Sequence, residues 1–263
     1  MNLGIDGNAA LVAASSSGLG FASAEVLARE GADVMINGRD EDRLEAARDE
    51  LESVARGRVL TQRADLTVEA DVDALVDAAL SEFGGLDHLV LNAGGPPSGP
   101  FLETSDEDWY FAYDLLVMSA VRLVRGTADA LRDGEGGTIV AITSRSVKEA
   151  IDSLVLSNAV RMSLVGLTKT LSKELAPDVR ANAVLPGPHE TERTQQLVRD
   201  AVERGEYESY ESGLETRSSA IPLRRLGDPT ELGDVVGYLS SERSSYINGA
   251  AIPVEGGALK SNL

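Results

Sequence analysis

The chain has no cysteine, which excludes a disulfide framework, a thiol nucleophile and a cysteine zinc site. Histidine is almost missing as well. Only His88 and His189 occur, too few for a histidine-rich catalytic metal centre. No apolar run approaches the ~20 residues a membrane helix needs. The opening stretch MNLGIDGNAALVAA carries no basic region ahead of its apolar residues, so no secretory signal is expected. Lysine is scarce, with four residues, and 24 bases face 43 acids for a net charge of −19. A surface this acidic repels nucleic acid and anionic membranes. Together these absences predict a cytoplasmic protein with no nucleic-acid or membrane partner. Acid spread over every segment fits a protein solvated in concentrated salt, where the Debye length shrinks to roughly 3 Å at 1 M. An ordinary acidic enzyme is the alternative.

What is present is a regular alternation of short β-rich apolar runs and helical patterns. Strands are expected at 9–14, 32–38, 57–65, 86–94, 137–144, 179–187 and 250–257. Between them, helices are expected at 18–31, 40–55, 68–84, 105–132 and 153–176. This spacing predicts an α/β fold: one Rossmann-like, doubly wound parallel sheet of about seven strands with helices on both faces. No linker, repeat or low-complexity tract divides it, so 1–263 reads as one domain. The polar stretch 189–226 interrupts the rhythm near the carboxyl ends of the strands. Ligands bind there in such sheets, so a lid is expected over this segment, with a solvated excursion as the alternative.

The first turn reads AASSSGLG (13–20). Its backbone at Ala14, Ser15, Ser16, Ser17, Gly18, Leu19 and Gly20 is a candidate phosphate cradle, because Gly18 and Gly20 permit a tight turn at a helix N-terminus. It does not match G-x-G-x-x-G; its place between first strand and first helix gives it weight. The second strand ends at Asn37-Gly38-Arg39. An acid there would suit a ribose 2′-hydroxyl, whereas Arg39 suits a 2′-phosphate, which favours NADP(H) over NAD(H).

These features, with Asp65-Leu66 after the third strand, Asn92-Ala93-Gly94 after the fourth and Pro186-Gly187 with Thr191, resemble the short-chain dehydrogenase/reductase family over nearly the whole length. The tail PLRRLGDPTELGDVVGYLSSERSSYINGAAIPVEGG is similar to the family's closing block, and the nearest branch is the 3-oxoacyl-acyl-carrier-protein reductase group. Ala13 and Ala14 replace the Thr and first Gly of the family's turn. The resemblance implies hydride transfer between a nicotinamide and a carbonyl or alcohol carbon. It also implies a homo-oligomer, a tetramer, formed through the regions 105–132 and 153–176 and the last strand. Asp65 and Leu66 would meet adenine; Asn92, Ala93, Gly94, Pro186, Gly187 and Thr191 would border the cofactor.

The family's catalytic group is changed. Ser144 stands at the expected Ser, but Ser157 replaces the Tyr, Arg161 the Lys and Leu116 the Asn. None of the six Tyr residues has Lys four places later. An alkyl hydroxyl is a far weaker acid than a phenol, and a guanidinium does not exchange protons. Ser144, Ser157 and Arg161 are therefore the candidate catalytic residues, with Arg161 also able to bind ribose hydroxyls. A hydrogen-bonded structural Ser157–Arg161 pair is the alternative. Lys148 and His189 are candidate substitutes for the proton donor. Two functions follow: an NADP(H)-linked oxidoreductase with an altered catalytic group, or a cofactor-binding homologue acting as sensor or structural subunit.

Overall fold

The computed structural model describes residues 2–134 and 136–261; the outermost positions of the expected 1–263 domain lie outside them. Seven strands form one sheet: β1 Ala9–Val12, β2 Asp33–Gly38, β3 Val59–Arg63, β4 His88–Leu91, β5 Gly137–Ile142, β6 Val179–Pro186 and β7 Ala251–Val254. All pair in parallel, in the order β3-β2-β1-β4-β5-β6-β7. The expected strands ran one to five residues longer than the observed ones, the excess lying in the flanking turns.

Side chains alternate across the sheet with period two and sort into two cores. Leu11, Met35, Leu89, Ile139 and Ala181 face α3 (Glu69–Phe83), α5 (Ser119–Asp133) and α6 (Val155–Glu174). Val12, Ile36, Val90, Val140 and Val184 face α1 (Gly18–Arg29), α2 (Glu41–Glu52) and α9 (Pro229–Ser240). Burial on both faces explains why these strands read as unbroken apolar runs.

The helix expected over 105–132 is interrupted. After α4 (Asp106–Tyr113) the chain makes a π turn at Asp114–Met118 before α5 begins. Such a turn inserts one residue per turn without a sequence marker and is common at functional sites. Leu116 lies in it, buried with Ala112, Val117, Leu156 and Val160. The 189–226 stretch holds two helices, α7 (Glu192–Glu203) and α8 (Tyr210–Ser219), packed on each other. Both start at side-chain caps: Thr191 accepts from Thr194 N–H, and Ser209 from Ser212 N–H.

Candidate active site

The carboxyl ends of the strands open into one cavity of about 530 Å³. It lies where the strand order reverses between β1 and β4, the place open α/β sheets use for ligands. Its size is within the roughly 300–1,000 Å³ of small-molecule sites.

The turn at the cavity's centre is held by asparagines. Ala14 has a left-handed backbone, φ 47°, which costs a non-glycine residue about 1–2 kcal/mol. Its N–H donates to Asn37 Oδ1 (2.6 Å) and its carbonyl accepts from Asn92 Nδ2 (2.9 Å), so both neighbouring strands fix it. Ser15 and Gly20 differ from expectation, for neither lines the cavity. The Ser15 hydroxyl turns inward, donating to the Val12 carbonyl (2.6 Å) and accepting from Asn37 N–H (3.1 Å). Gly20 leaves room for the turn itself: a Cβ there would overlap the Ala14 carbonyl and come within 2.6 Å of Asn92 Nδ2. Ala14, Ser16, Ser17, Gly18 and Leu19 do line the cavity. Ser17 begins α1 without a side-chain cap and no acid follows in the first turn, whereas α2 is capped by Asp40 and starts with Glu41 and Asp42. The positive end of α1 is left for an anion, which fits a dinucleotide's diphosphate.

At the outer end, Arg39, Asp65 and Leu66 line the cavity together. Arg39 Nη1 is 3.8 Å from Asp65 Oδ2. Burial opposes the Asp65 charge, yet the Thr67 N–H and hydroxyl, with Arg39 and Arg63 nearby, hold its carboxyl below the usual range. Arg43 also lines this end and pairs with Glu192, the first residue of α7. Sequence reasoning missed it. The available signal was a base in the first turn of a helix, where acids are favoured.

At the inner end, Ser144 follows β5 and its hydroxyl accepts from Ser146 N–H (3.1 Å). Ser157 and Arg161 stand one turn apart on α6; both are buried and both line the cavity. Among the described residues no hydrogen bond joins them. Arg161 Nη1 donates instead to the Thr143 carbonyl (3.1 Å). Burial, then the charge of Arg193, lowers the Arg161 pKa to about 10, so its charge persists at neutral pH.

Ala93, Gly94, Pro186, Gly187 and Thr191 border the same space, with Asn92 beside them. His189 also lines it, but its ring is committed: Nδ1 donates to the Gly187 carbonyl (3.0 Å), and Nε2 would lie 2.9 Å from a Cβ at Gly227. Burial lowers its pKa, which favours the neutral ring. Lys148 does not line the cavity. Behind Arg161, a small cavity of about 10 Å³ is bounded by Leu116 and Asn92, at the lower edge of what holds one water. Three arginines that sequence reasoning missed, Arg145, Arg193 and Arg217, complete the inner lining. Two of them lie on α7 and α8 of the interrupting segment.

Comparison with known proteins finds relatives along nearly the whole chain. The family model described as enoyl-(acyl carrier protein) reductase matches residues 13–258. The oxidoreductase UcpA of Salmonella typhimurium is 33% identical over 257 residues, covering 97% of this chain and 95% of that protein. Dehydrogenase/reductase SDR family member 4 of Homo sapiens is 33% identical over 251 residues, covering 94% and 86%. The L-sorbose reductase of Gluconobacter frateurii, solved with NADPH and L-sorbose, superposes with a TM-score of 0.93 at 35% identity, over 99% of this chain and 100% of that one. Among the described residues no helix is long and apolar enough to cross a membrane, and no cluster of metal-ligating side chains occurs.

Proposed function

The chain belongs to the short-chain dehydrogenase/reductase family, and on that premise we propose that it moves hydride between NADP(H) and a small carbonyl or alcohol substrate by an altered catalytic group. The observation that carries this reading is the single cavity running from Arg39 through the α1 turn to Ser144, Ser157 and Arg161. Bound there, the nicotinamide supplies or accepts the hydride. Arg39 and Arg43 take the 2′-phosphate, the α1 amides the diphosphate, and Arg161 the nicotinamide ribose. Ser144 and Ser157 hold the substrate oxygen, and the fixed charge of Arg161 stabilises the negative charge that develops on it. No phenol or lysine lines the cavity among the described residues, so in the reducing direction that oxygen takes its proton from water.

The test pairs binding with turnover. Calorimetry is expected to give tighter binding of NADPH than of NADH, and Arg39→Gln to close the gap. A clear preference of the parent protein for NADH removes the role of Arg39. The second reading, a cofactor-binding subunit without turnover, rests on the missing phenol and on the small space, about 10 Å³, beside Leu116. Cofactor binding with no substrate reduced in a carbonyl and polyol screen favours it.

Phe101, Leu102, Tyr110, Tyr113 and Met162 are exposed apolar side chains in and around α4 and α6, which pack together. They suit the helical contacts of a homotetramer in the cytoplasm. Sedimentation at the monomer mass excludes it. Helices α7 and α8 serve as a lid, joined to α2 through Glu192–Arg43.

A further inference from the structure

The inner half of the cavity carries charge of one sign. Arg145, Arg161, Arg193 and Arg217 line it, while the lining carboxylates Asp40, Asp65 and Glu192 stand at the outer end with Arg39 and Arg43. In a chain of 43 acids and 24 bases this inverts the overall balance. The four inner guanidiniums are also alike in their partners. Each makes one hydrogen bond among the described residues, to a backbone carbonyl: Arg145 to Ala258 (3.3 Å), Arg161 to Thr143 (3.1 Å), Arg193 to Pro96 (2.7 Å) and Arg217 to Leu197 (3.4 Å). A guanidinium has five donors. Backbone carbonyls therefore orient these cations without neutralising them, and Arg217 Nε is buried with no partner.

The placement of Arg193 is built into the fold. A Cβ at Gly95 would sit 2.7 Å from its Cζ, so glycine here leaves the guanidinium room to lie against the loop after β4. Asp200, which accepts from Ser98 and Gln196, acts on Arg193 from outside the lining. Burial and the charge of Arg193 both press on Arg161. Like charges gathered in a partly desolvated space cost free energy unless an anion joins them. With the diphosphate at the α1 turn and the nicotinamide ribose at Arg161, the other inner cations are left for the substrate.

We propose that the inner half binds a substrate bearing an oxyanion, a small oxo or hydroxy acid, with its carboxylate held by Arg193 and Arg217 while its carbonyl meets Ser144 and Ser157. Arg–carboxylate and Arg–phosphate pairs share the bidentate geometry that such a site offers. The inference rests on the oxidoreductase reading, and its test separates the two.

Calorimetry on the protein saturated with NADPH uses malonate, methyl phosphate and malonamide as unreactive probes, in the lowest salt that keeps the fold. Binding of malonate or methyl phosphate at least tenfold tighter than malonamide is expected, and which of the two anions binds better names the oxyanion. Arg217→Gln is expected to lower malonate affinity at least tenfold and Arg217→Lys to restore part of it; Arg193→Gln serves as the independent second variant. Malonamide binding as well as malonate, or both glutamine variants matching the parent, overturns the proposal. Reduction of an oxo acid against its methyl ester is then followed separately. Anion binding without turnover defeats the reductase reading alone, and turnover that ignores the carboxylate defeats the anion site alone.

Discussion

Replacing Ser157 by Tyr and Arg161 by Lys together tests whether the missing phenol limits reduction. Both positions are buried on the cavity side of α6, so the phenol enters a space of about 530 Å³ rather than solvent. The lysine stands near the Thr143 carbonyl that now holds Arg161 Nη1 at 3.1 Å. A phenol ordinarily titrates near 10, and a neighbouring ammonium lowers it toward neutrality. A placed general acid contributes roughly 10²–10⁴-fold, or about 3–5 kcal/mol of barrier. Leu116 and the cavity of about 10 Å³ beside it leave little room for a relay water, so the lower end, about 10²-fold in kcat/KM, is expected for a neutral ketone. The assay follows reduced nicotinamide absorbance at pH 7, with circular dichroism to confirm the fold. Arg161→Lys alone supplies an ammonium without the phenol, and its gain is expected to fall well short of the double variant's. The reasoning fails if the double variant binds NADPH as the parent does yet reduces the ketone no faster.

Three other outcomes follow from the geometry. Gly20→Ala forces a Cβ against the Ala14 carbonyl and Asn92 Nδ2; overpacking of this kind costs about 1–3 kcal/mol, so NADPH affinity measured by calorimetry should fall about tenfold or more, and an unchanged constant contradicts the turn's assignment. His88 is buried between Asn8 Nδ2 (2.9 Å) and Thr138 Oγ1 (2.8 Å), and burial lowers its pKa to about 4. Its unfolded value lies near 6.5, so unfolding takes up a proton below that pH: stability on the order of 3 kcal/mol is present above pH 6.5 and lost as pH falls through 4. Urea melts of His88→Gln should show a flatter slope across that window, and an equal slope refutes the assignment. With a net charge of −19, thermal midpoints should rise from low to multimolar potassium chloride as self-repulsion is screened, and a midpoint indifferent to salt excludes the halophile reading.

The sheet was legible because its strands are buried on both faces, so Leu11 and Val12, or Leu89 and Val90, leave continuous apolar runs too short for helices and bounded by turn residues. The turn between β1 and α1 was legible in outline, but not its interior. Nothing in AASSSGLG distinguishes Ser15, which bonds the Val12 carbonyl, from Ser16 and Ser17, which face the cavity. That difference is set by Asn37, more than twenty residues away, donating its backbone N–H to Ser15. The π turn was hidden for a related reason. Its sequence DLLVM is an ordinary helical stretch, and the extra residue is accommodated by packing of Leu116 against Leu156 and Val160. The inner arginines were hidden by distance. Arg193 meets Pro96, and Arg217 meets Leu197, only once α7 and α8 have folded against their neighbours.

Those arginines and the acidic surface bear on one another. A Tyr–Lys pair works by titrating, whereas the Arg161 charge persists at every pH below about 10. The inner cavity is therefore a permanent positive field inside a body of net charge −19. At low salt, that body would repel an anionic dinucleotide and the proposed anionic substrate alike before either reached the cavity mouth. At 1 M salt the Debye length is roughly 3 Å, about the length of a guanidinium–carboxylate hydrogen bond. Screening then removes the long-range repulsion and leaves the short, partly buried contacts largely intact. A positive cavity in an acidic protein is thus least impeded in concentrated salt, where the surface charge keeps the protein solvated and no longer opposes the approach of its ligands.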